Sequence, residues 1–250
     1  MRVRLRFSKL GKVRFVGHRD VARLFERSLR KSGFPAAYSE GFNPRMRMSF
    51  GLALPTCYES DAEYLDLPIA PGGWDGDELL LVGTRHGERV SVEQVARLLS
   101  EGLPSGIDVT AAELQERGGP SLQEVITSCT WSFDLPGQDP AAIAERIDRS
   151  LAADVLIGER TRKGTLVSDD IRPAVLGLTL DGASERGPVV VAELSASQRV
   201  VRPSELLTAL APGAELGVAR RRHQWIDIDG ARREPMPPST SMSIPAVAGK

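Results

Sequence analysis

The stretch GKVRFVGHRDVARLFERSLRKSGFPAAYSEGFNPRMRMSF, residues 11–50, decides the fold of the first part of the chain. Apolar residues recur in it three and four positions apart, which is the spacing of an amphipathic helix. This pattern predicts a helix from residue 18 to residue 32. Gly33 then stands where a helix C-cap glycine belongs, and Pro35 prevents the helix from continuing.

The segment after this helix, residues 38–50, predicts a loop followed by a strand. Gly41, Asn43 and Pro44 are residues typical of tight turns. After them, Arg45 and the basic and polar residues that follow alternate with Met46 and two further apolar residues, which is the period of a strand. We expect this strand to pair with a second one over residues 63–67.

The chain before the helix also predicts strand structure. Residues 2–7 alternate strictly between arginine and an apolar residue. This alternation predicts a half-buried strand with its arginines in solvent. A turn at Gly11 and a second strand over residues 13–16 are expected to follow.

The order of predicted elements suggests a duplication. The first half has the order strand, helix, strand, strand, helix, strand, with Ser91 capping the second helix. The second half repeats this order with an additional hairpin, and its helix is predicted to begin after Asp139 at Pro140. We therefore predict an α+β protein of two tandem ferredoxin-like (β-α-β-β-α-β) units with antiparallel sheets. The predicted units are residues 1–118 and 119–230, followed by a disordered tail at 231–250.

Positive charge is concentrated at the N-terminal end. Residues 1–50 hold 13 Lys and Arg and 3 acids, a net charge of +10, whereas the whole chain of 250 residues carries −1. The remaining 200 residues therefore carry −11. This asymmetry is typical of a protein that binds a polyanion through its basic part. The alternative is a solvated basic surface whose charges pair with acids elsewhere in the fold.

The predicted helix carries a row of arginines along one face. This row can face a phosphate backbone, or it can be a solvated face in which Glu26 pairs with Arg30. In the following loop, Tyr38 and Phe42 lie among arginines, where they can stack on exposed bases or pack in the core. The candidate nucleic-acid-binding residues are Arg14, His18, Arg19, Arg23, Arg27, Arg30, Lys31, Tyr38, Ser39, Phe42, Asn43, Arg45 and Arg47.

Several classes of protein are not expected. Cys57 and Cys129 lie far apart without a CxxC motif, which fits a reducing cytoplasm and gives neither a disulfide framework nor a complete iron–sulfur ligand set. The three histidines are scattered, and the sequence has no P-loop or dinucleotide-binding glycine motif. No apolar run approaches the ~20 residues of a membrane helix. We predict a cytoplasmic protein with no catalytic residue, metal or cofactor of its own.

Four motifs carry a resemblance to a known family: RFVGHRD at 14–20, YSEGFNP at 38–44, SFGLALP at 49–55 and EYLD at 63–66. In these motifs the chain resembles a radical-SAM-associated bacterial domain family of unknown function. That family occurs fused to, or encoded beside, a B12-binding-type radical SAM protein. The chain departs from the family pattern at Gly17, Arg19, Glu40 and Arg45, where the family has Ser, Leu, Gln and His.

The resemblance and the charge together imply an accessory role. The first hypothesis is a non-catalytic protein that binds structured RNA, either tRNA or rRNA, and presents it to a radical SAM partner. The second is an adaptor that docks the radical SAM protein through the same basic face without nucleic acid. The third is a stand-alone RNA-processing enzyme, since the tandem element order is also similar to RNA-processing proteins of CRISPR systems. In that case His18 is the possible general base, although a capping or core histidine is the alternative.

Overall fold

The computed structural model describes residues 1–82, 88–116, 118–197 and 200–236, and it confirms a mixed α+β protein. The described chain divides into two compact units. Unit 1 comprises Met1–Cys57, Ala62–Gln123 and, beyond these, Met236. Unit 2 comprises Tyr58–Asp61 and Glu124–Pro235. No helix among the described residues is both long and apolar enough to cross a membrane.

The elements from the N-terminus to the end of unit 1 form in the following order: β1 (Arg2–Lys9), α1 (His18–Lys31), β2 (Ser49–Phe50), β3 (Glu59–Pro68), β4 (Trp74–Asp75), β5 (Glu78–Leu80), β6 (Arg89–Ser91), α2 (Val92–Glu101), β7 (Val109–Gln115) and a helical turn α3 (Leu122–Val125). The order of strands in the main sheet of unit 1 is β7-β1-β3-β2. Strands β4, β5 and β6 form a separate small antiparallel sheet.

The core of unit 1 lies between its main sheet, β7-β1-β3-β2, and the helices α1 and α2. Strands β1 and β7 contribute alternating apolar side chains, and α1 contributes Val21, Phe25 and Leu29 from one face. Phe7 of β1 contacts Phe25 edge to face, with ring centroids 4.7 Å apart. Because α1 packs by this stripe, its opposite face is left to solvent.

The helix α1 begins and ends within one residue of its predicted bounds. Gly33, which follows it, has φ +71, the left-handed conformation that a C-cap glycine supplies. A Cβ at this position would lie 2.4 Å from the carbonyl oxygen of Val82, which also donates its N–H to the Gly33 carbonyl. Glycine is therefore required here both by the backbone angle and by the close approach of a neighbouring segment.

The prediction of a half-buried first strand is wrong. Strand β1 lies inside the sheet, between β3 and β7, and Arg4 and Arg6 are buried. Arg4 is neutralised by Asp66 of β3, and Arg6 donates to the side chain of Thr110 in β7. Alternation of charged and apolar residues indicated one solvated face, but partners from distant parts of the chain allow both faces to be buried.

The prediction of a strand over residues 13–16 is also wrong. Gly11–Phe15 form one turn of 3₁₀ helix, and the N–H of Val16 donates to the carbonyl of Val13 at 2.9 Å. Gly11, at φ +67, turns the chain out of β1, and only Val13 of the following turn is buried. The turn leaves the ring of Phe15 exposed at the surface.

Unit 2 contains the elements β8 (Ile126–Asp134), α4 (Pro140–Ala152), β9 (Ile157–Arg162), β10 (Thr165–Asp170), β11 (Val175–Ser184), β12 (Gly187–Ser195), α5 (Pro203–Leu210), β13 (Ala219–Ile228) and β14 (Ala231–Arg233). The order β11-β12-β8-β13 is antiparallel throughout, and β14 extends it beside β13. Glu59 and Ser60, which belong to unit 2, pair in parallel with β13. The sheets are therefore antiparallel and mixed.

Two local predictions for helix starts are confirmed. The side chain of Asp139 accepts from the N–H of Ala142 at 2.9 Å, and Pro140 is the first residue of α4. In unit 1, Ser91 accepts from the N–H of Gln94, whose side chain accepts in return from the N–H of Ser91. Both caps satisfy N–H groups that the helix itself cannot pair.

The predicted disordered tail requires a correction at its start. Ala231–Arg233 form strand β14, and Ile226, Asp227 and Ile228 of β13 are their partners. Met236 is buried in unit 1, where its carbonyl accepts from the hydroxyl of Tyr64 at 3.2 Å. The hydrogen bonds of a hairpin hold this segment although its composition is polar. The remainder of the predicted tail, residues 237–250, lies outside the described residues.

Candidate functional site

The row of arginines predicted on α1 lies on its solvent side. Arg19, Arg23, Arg27 and Arg30 are all exposed, as is Lys31. At 3.6 residues per turn the four arginines fall within about a quarter of the helix circumference, opposite the buried stripe. The helix thus presents one continuous basic stripe at its surface.

Local acids neutralise part of this stripe. Arg23 Nη1 lies 2.9 Å from Asp20 Oδ1, and Arg30 Nη2 lies 2.6 Å from Glu26 Oε1. The i,i+4 pairing of Glu26 with Arg30 is therefore confirmed. Exposed pairs of this kind leave much of the guanidinium surface open to solvent. Within the described parts of the chain, no carboxylate forms an ion pair with Arg19, Arg27, Lys31, Arg45 or Arg47.

The segment after α1 forms a short hairpin, which we call the basic hairpin (residues 37–47). The N–H of Ser39 donates to the carbonyl of Arg45 at 2.8 Å, and the N–H of Arg45 donates to the hydroxyl oxygen of Ser39 at 3.0 Å. The N–H of Arg47 donates to the carbonyl of Ala37 at 2.8 Å. These bonds fix the two ends of the loop at residues 40–44. Ser39, a candidate nucleic-acid-binding residue, therefore stabilises the hairpin through its hydrogen bonds with Arg45.

Two aromatic rings of the basic hairpin are exposed. Phe42 at its tip is fully exposed, and Tyr38 is 43% exposed. The alternative that both rings pack in the core is therefore wrong. Among the described residues, none covers the Phe42 ring, whereas Met46 of the same hairpin is buried.

A groove of about 520 Å³ lies between the C-terminal half of α1 and the basic hairpin. Glu26 and Arg30 line it from the helix. The hairpin contributes Asn43 and Arg45, and Met48, directly before β2, also lines it. The groove joins the basic stripe of α1 to the basic hairpin, so the two elements form one surface within unit 1.

The N-terminal end of α1 carries further candidate residues. The guanidinium of Arg14 lies over the ring of Phe15, 4.8 Å from its centroid. His18 is exposed at the first position of α1, and its ring contacts Phe50 edge to face at 4.8 Å. Phe15 was missed as a candidate residue, because a strand over residues 13–16 does not indicate which of its side chains stands in solvent.

A small niche of about 20 Å³ lies below His18. Lys9 and Glu63 line it together with Phe50. Burial lowers the pKa of Lys9, while Glu63 and Cys57 oppose this shift. Lys9 Nζ donates to the carbonyl of Arg14 at 3.2 Å. The volume admits about one water molecule, so the niche has no room for a larger ligand.

The surface charge of residues 1–50 is smaller than their sequence charge. Arg4, Arg6 and Lys9 are buried, and Arg2 is neutralised by Asp66, which also pairs with Arg4. Nine exposed or half-exposed cations and three acids remain, which leaves a net charge of +6. The basic face is thus carried by α1 and the basic hairpin and not by the first strand.

The second basic cluster of the sequence, at residues 220–223 in unit 2, is neutralised by its own unit. Arg220 Nη2 lies 2.7 Å from Glu59, and Arg222 Nε lies 2.9 Å from Asp61. Arg221 is buried over the ring of Trp131. Among the described residues, no group of three or more His, Cys, Asp or Glu side chains is arranged to hold a metal ion.

A comparison with protein families identifies the group to which the chain belongs. The family described as an uncharacterized protein conserved in bacteria (DUF2344) matches residues 2–203. The chain belongs to this family. The match begins in β1, covers the whole of α1 and the basic hairpin, and extends to the start of α5 in unit 2. A search of curated proteins finds no match to the chain.

Proposed function

We propose that the protein is a non-catalytic RNA-binding accessory protein that holds its ligand on the face formed by α1 and the basic hairpin. The observation that supports this most directly is the ring of Phe42, which is fully exposed at the tip of a loop that Arg45 and Arg47 flank. Aromatic rings beside arginines are the surface on which proteins stack unpaired bases.

The basic stripe of α1 supplies the second part of the proposal. Phosphate contacts by Lys and Arg provide affinity without sequence preference, and they make binding dependent on salt. The stripe between residues 19 and 30 spans about 16 Å at 1.5 Å per residue. That length accommodates several successive phosphates of an extended single strand.

We further propose that a radical SAM protein is the partner and that the RNA is a tRNA or rRNA which the partner modifies. This part rests on the resemblance of the motifs at 14–20 and 38–44. We also propose that both units are ferredoxin-like. The strand orders β7-β1-β3-β2 and β11-β12-β8-β13, with one helix after the first and one after the third core strand, support that assignment.

The test is a binding titration of tRNA and of rRNA fragments with the full chain at low salt. The change is Arg23→Glu with Arg27→Glu, which reverses two charges of the stripe. We expect binding by the natural chain and a loss of at least tenfold in affinity for the variant. Absence of binding at low salt, or an unchanged affinity in the variant, contradicts the proposal.

The competing proposal is an adaptor that docks the radical SAM protein without RNA. The exposed basic side chains of this face also support it, because complementary charge steers and orients the docking of two proteins. Co-purification with the radical SAM protein that persists after nuclease treatment and is abolished by the arginine substitutions would support the adaptor. Co-purification that nuclease abolishes would support RNA.

A further inference from the structure

The groove between α1 and the basic hairpin is open to solvent and brings apolar, acidic and basic side chains together. Its volume of about 520 Å³ lies within the range of small-molecule sites in proteins, roughly 300–1,000 Å³. We propose that this groove takes a single unpaired nucleotide whose base carries an exocyclic amino group. The inference rests on the proposed function and defines which part of an RNA the protein recognises.

The apolar side of the groove is formed by methionine. Met46 is buried and Met48 is half-buried, and both line the groove. Methionine is flexible and polarisable, and its sulfur makes favourable contacts with aromatic rings. The two thioethers therefore offer a surface on which a flat base can lie, although neither side chain fixes the identity of that base.

The polar side of the groove contains groups that distinguish bases. The carboxylate of Glu26 has acceptors in addition to the one that Arg30 occupies, since a carboxylate offers about four acceptor positions. The amide of Asn43 is exposed at the rim, and within the described residues it has no hydrogen-bond partner. A carboxylate accepts well from the amino group of cytosine, whereas uracil presents a carbonyl at the same place.

The cations of the groove are placed for the phosphate. Arg30 and Arg45 line it from opposite elements, the helix and the hairpin. Phe42, two residues before Pro44 at the groove, stands in solvent at the hairpin tip. An RNA strand that places one base in the groove can thus stack a neighbouring base on Phe42, while its phosphates follow the basic stripe of α1.

The experiment compares six-residue oligocytidylate with oligouridylate by fluorescence anisotropy, using the full chain at one low salt concentration. The two rings have the same size and differ at the position that Glu26 would read. We expect the cytidylate to bind about tenfold more tightly, which is within the discrimination of one good base contact. In Glu26→Gln we expect the ratio of the two affinities to fall to about one, because an amide can donate or accept.

The matched control is Asp20→Asn. Asp20 pairs with Arg23 in the way that Glu26 pairs with Arg30, and both pairs lie on α1. Unlike Glu26, Asp20 does not line the groove. Loss of either acid increases the net positive charge equally, so both variants gain general affinity. Only Glu26→Gln is expected to change the ratio. The methyl signals of Met46 and Met48 in NMR spectra should shift when oligocytidylate is added.

The outcomes separate the inference from the proposed function. Binding of both oligonucleotides with a ratio near one, or methionine signals that do not move, overturns the nucleotide pocket and leaves the RNA-binding face standing. A ratio that changes equally in Asp20→Asn also overturns it. Failure of both oligonucleotides and of tRNA to bind at low salt overturns the proposed function and the pocket together.

Discussion

Arg4 and Asp66 form a two-point ion pair within unit 1, with Nε 2.8 Å from Oδ1 and Nη2 2.9 Å from Oδ2. Arg2 reaches the same carboxylate, with Nη1 3.2 Å from Oδ2. Both members of the two-point pair are buried, and Arg4 lies in the strand β1 that the sequence pattern had assigned to a solvated face. The pair removes these two arginines from the basic surface and makes them part of the sheet.

We expect Asp66→Ala to destabilise unit 1 by about 3–5 kcal/mol, because it leaves the guanidinium of Arg4 buried without a counter-charge. Hydrogen exchange of the β1 and β7 amides measures this loss locally. Replacing both partners, as in Arg4→Met with Asp66→Leu, should restore part of the stability, because only the half-buried Arg2 is then left without this carboxylate. Equal exchange rates in Asp66→Ala and the natural chain would contradict the account.

Lys9 should release its proton at a lower pH than an exposed lysine. Burial lowers its pKa from the usual 10.5, although Glu63 and Cys57 oppose the shift. The unfolded chain therefore binds more protons than the folded chain between the two pKa values. Within that window the free energy of unfolding should rise with pH, up to about pH 10.5. Titration of the Lys9 Cε signal by NMR in the folded chain and in denaturant checks this, and coincident midpoints would contradict it.

Gly33→Ala should destabilise the end of α1. The residue has φ +71, and a Cβ would meet the Val82 carbonyl oxygen at 2.4 Å. The matched control is Gly72→Ala, where φ is +75 but no atom lies within 4 Å of the added Cβ. We expect the Gly33 variant to lose about 1 kcal/mol or more beyond the control in the free energy of unfolding. Similar losses in the two variants would show that the contact with Val82 is unimportant.

The sequence predicted those elements whose causes are local. Helix α1, its C-terminal Gly33 and the caps at Ser91 and Asp139 follow from residues within a few positions of one another. The burial of Arg4 could not be predicted in this way, because its partner Asp66 lies 62 residues further along the chain. A pattern of alternating charge shows where side chains point but not what a distant strand will bring to meet them.

The same difference between local and distant causes applies to the candidate site. The basic stripe of α1 was predictable from helical spacing alone, and so was the pairing of Glu26 with Arg30. The exposure of Phe42 was not, because the glycine and proline around it indicate a loop without showing on which side its ring lies. The groove lined by Met48 and Arg30 depends on how the hairpin packs on the helix, which no local pattern contains.

Phe42→Ala should weaken binding of a single-stranded oligoribonucleotide without altering the fold. Stacking of one base on an aromatic ring contributes about 1–3 kcal/mol, so the dissociation constant should rise by roughly 5- to 150-fold. The melting temperature should not change, because the ring is fully exposed. Leu166→Ala, which removes an exposed apolar side chain in unit 2, is the control and should leave binding unchanged. An equal affinity in Phe42→Ala and the natural chain would exclude a stacking role.

The most direct test of the RNA-binding face is the salt dependence of binding to a twelve-residue single-stranded RNA. Contact with six phosphates, one for each arginine of the stripe and the hairpin, predicts a slope of about −4 in log affinity against log salt. Arg27→Glu with Arg45→Glu should make that slope shallower by at least about 1.4, since two contacts are lost. The control Arg149→Glu with Arg162→Glu, two exposed arginines of unit 2, should leave it unchanged. A slope that is flat in the natural chain, or that changes equally in the two double variants, would contradict the central claim.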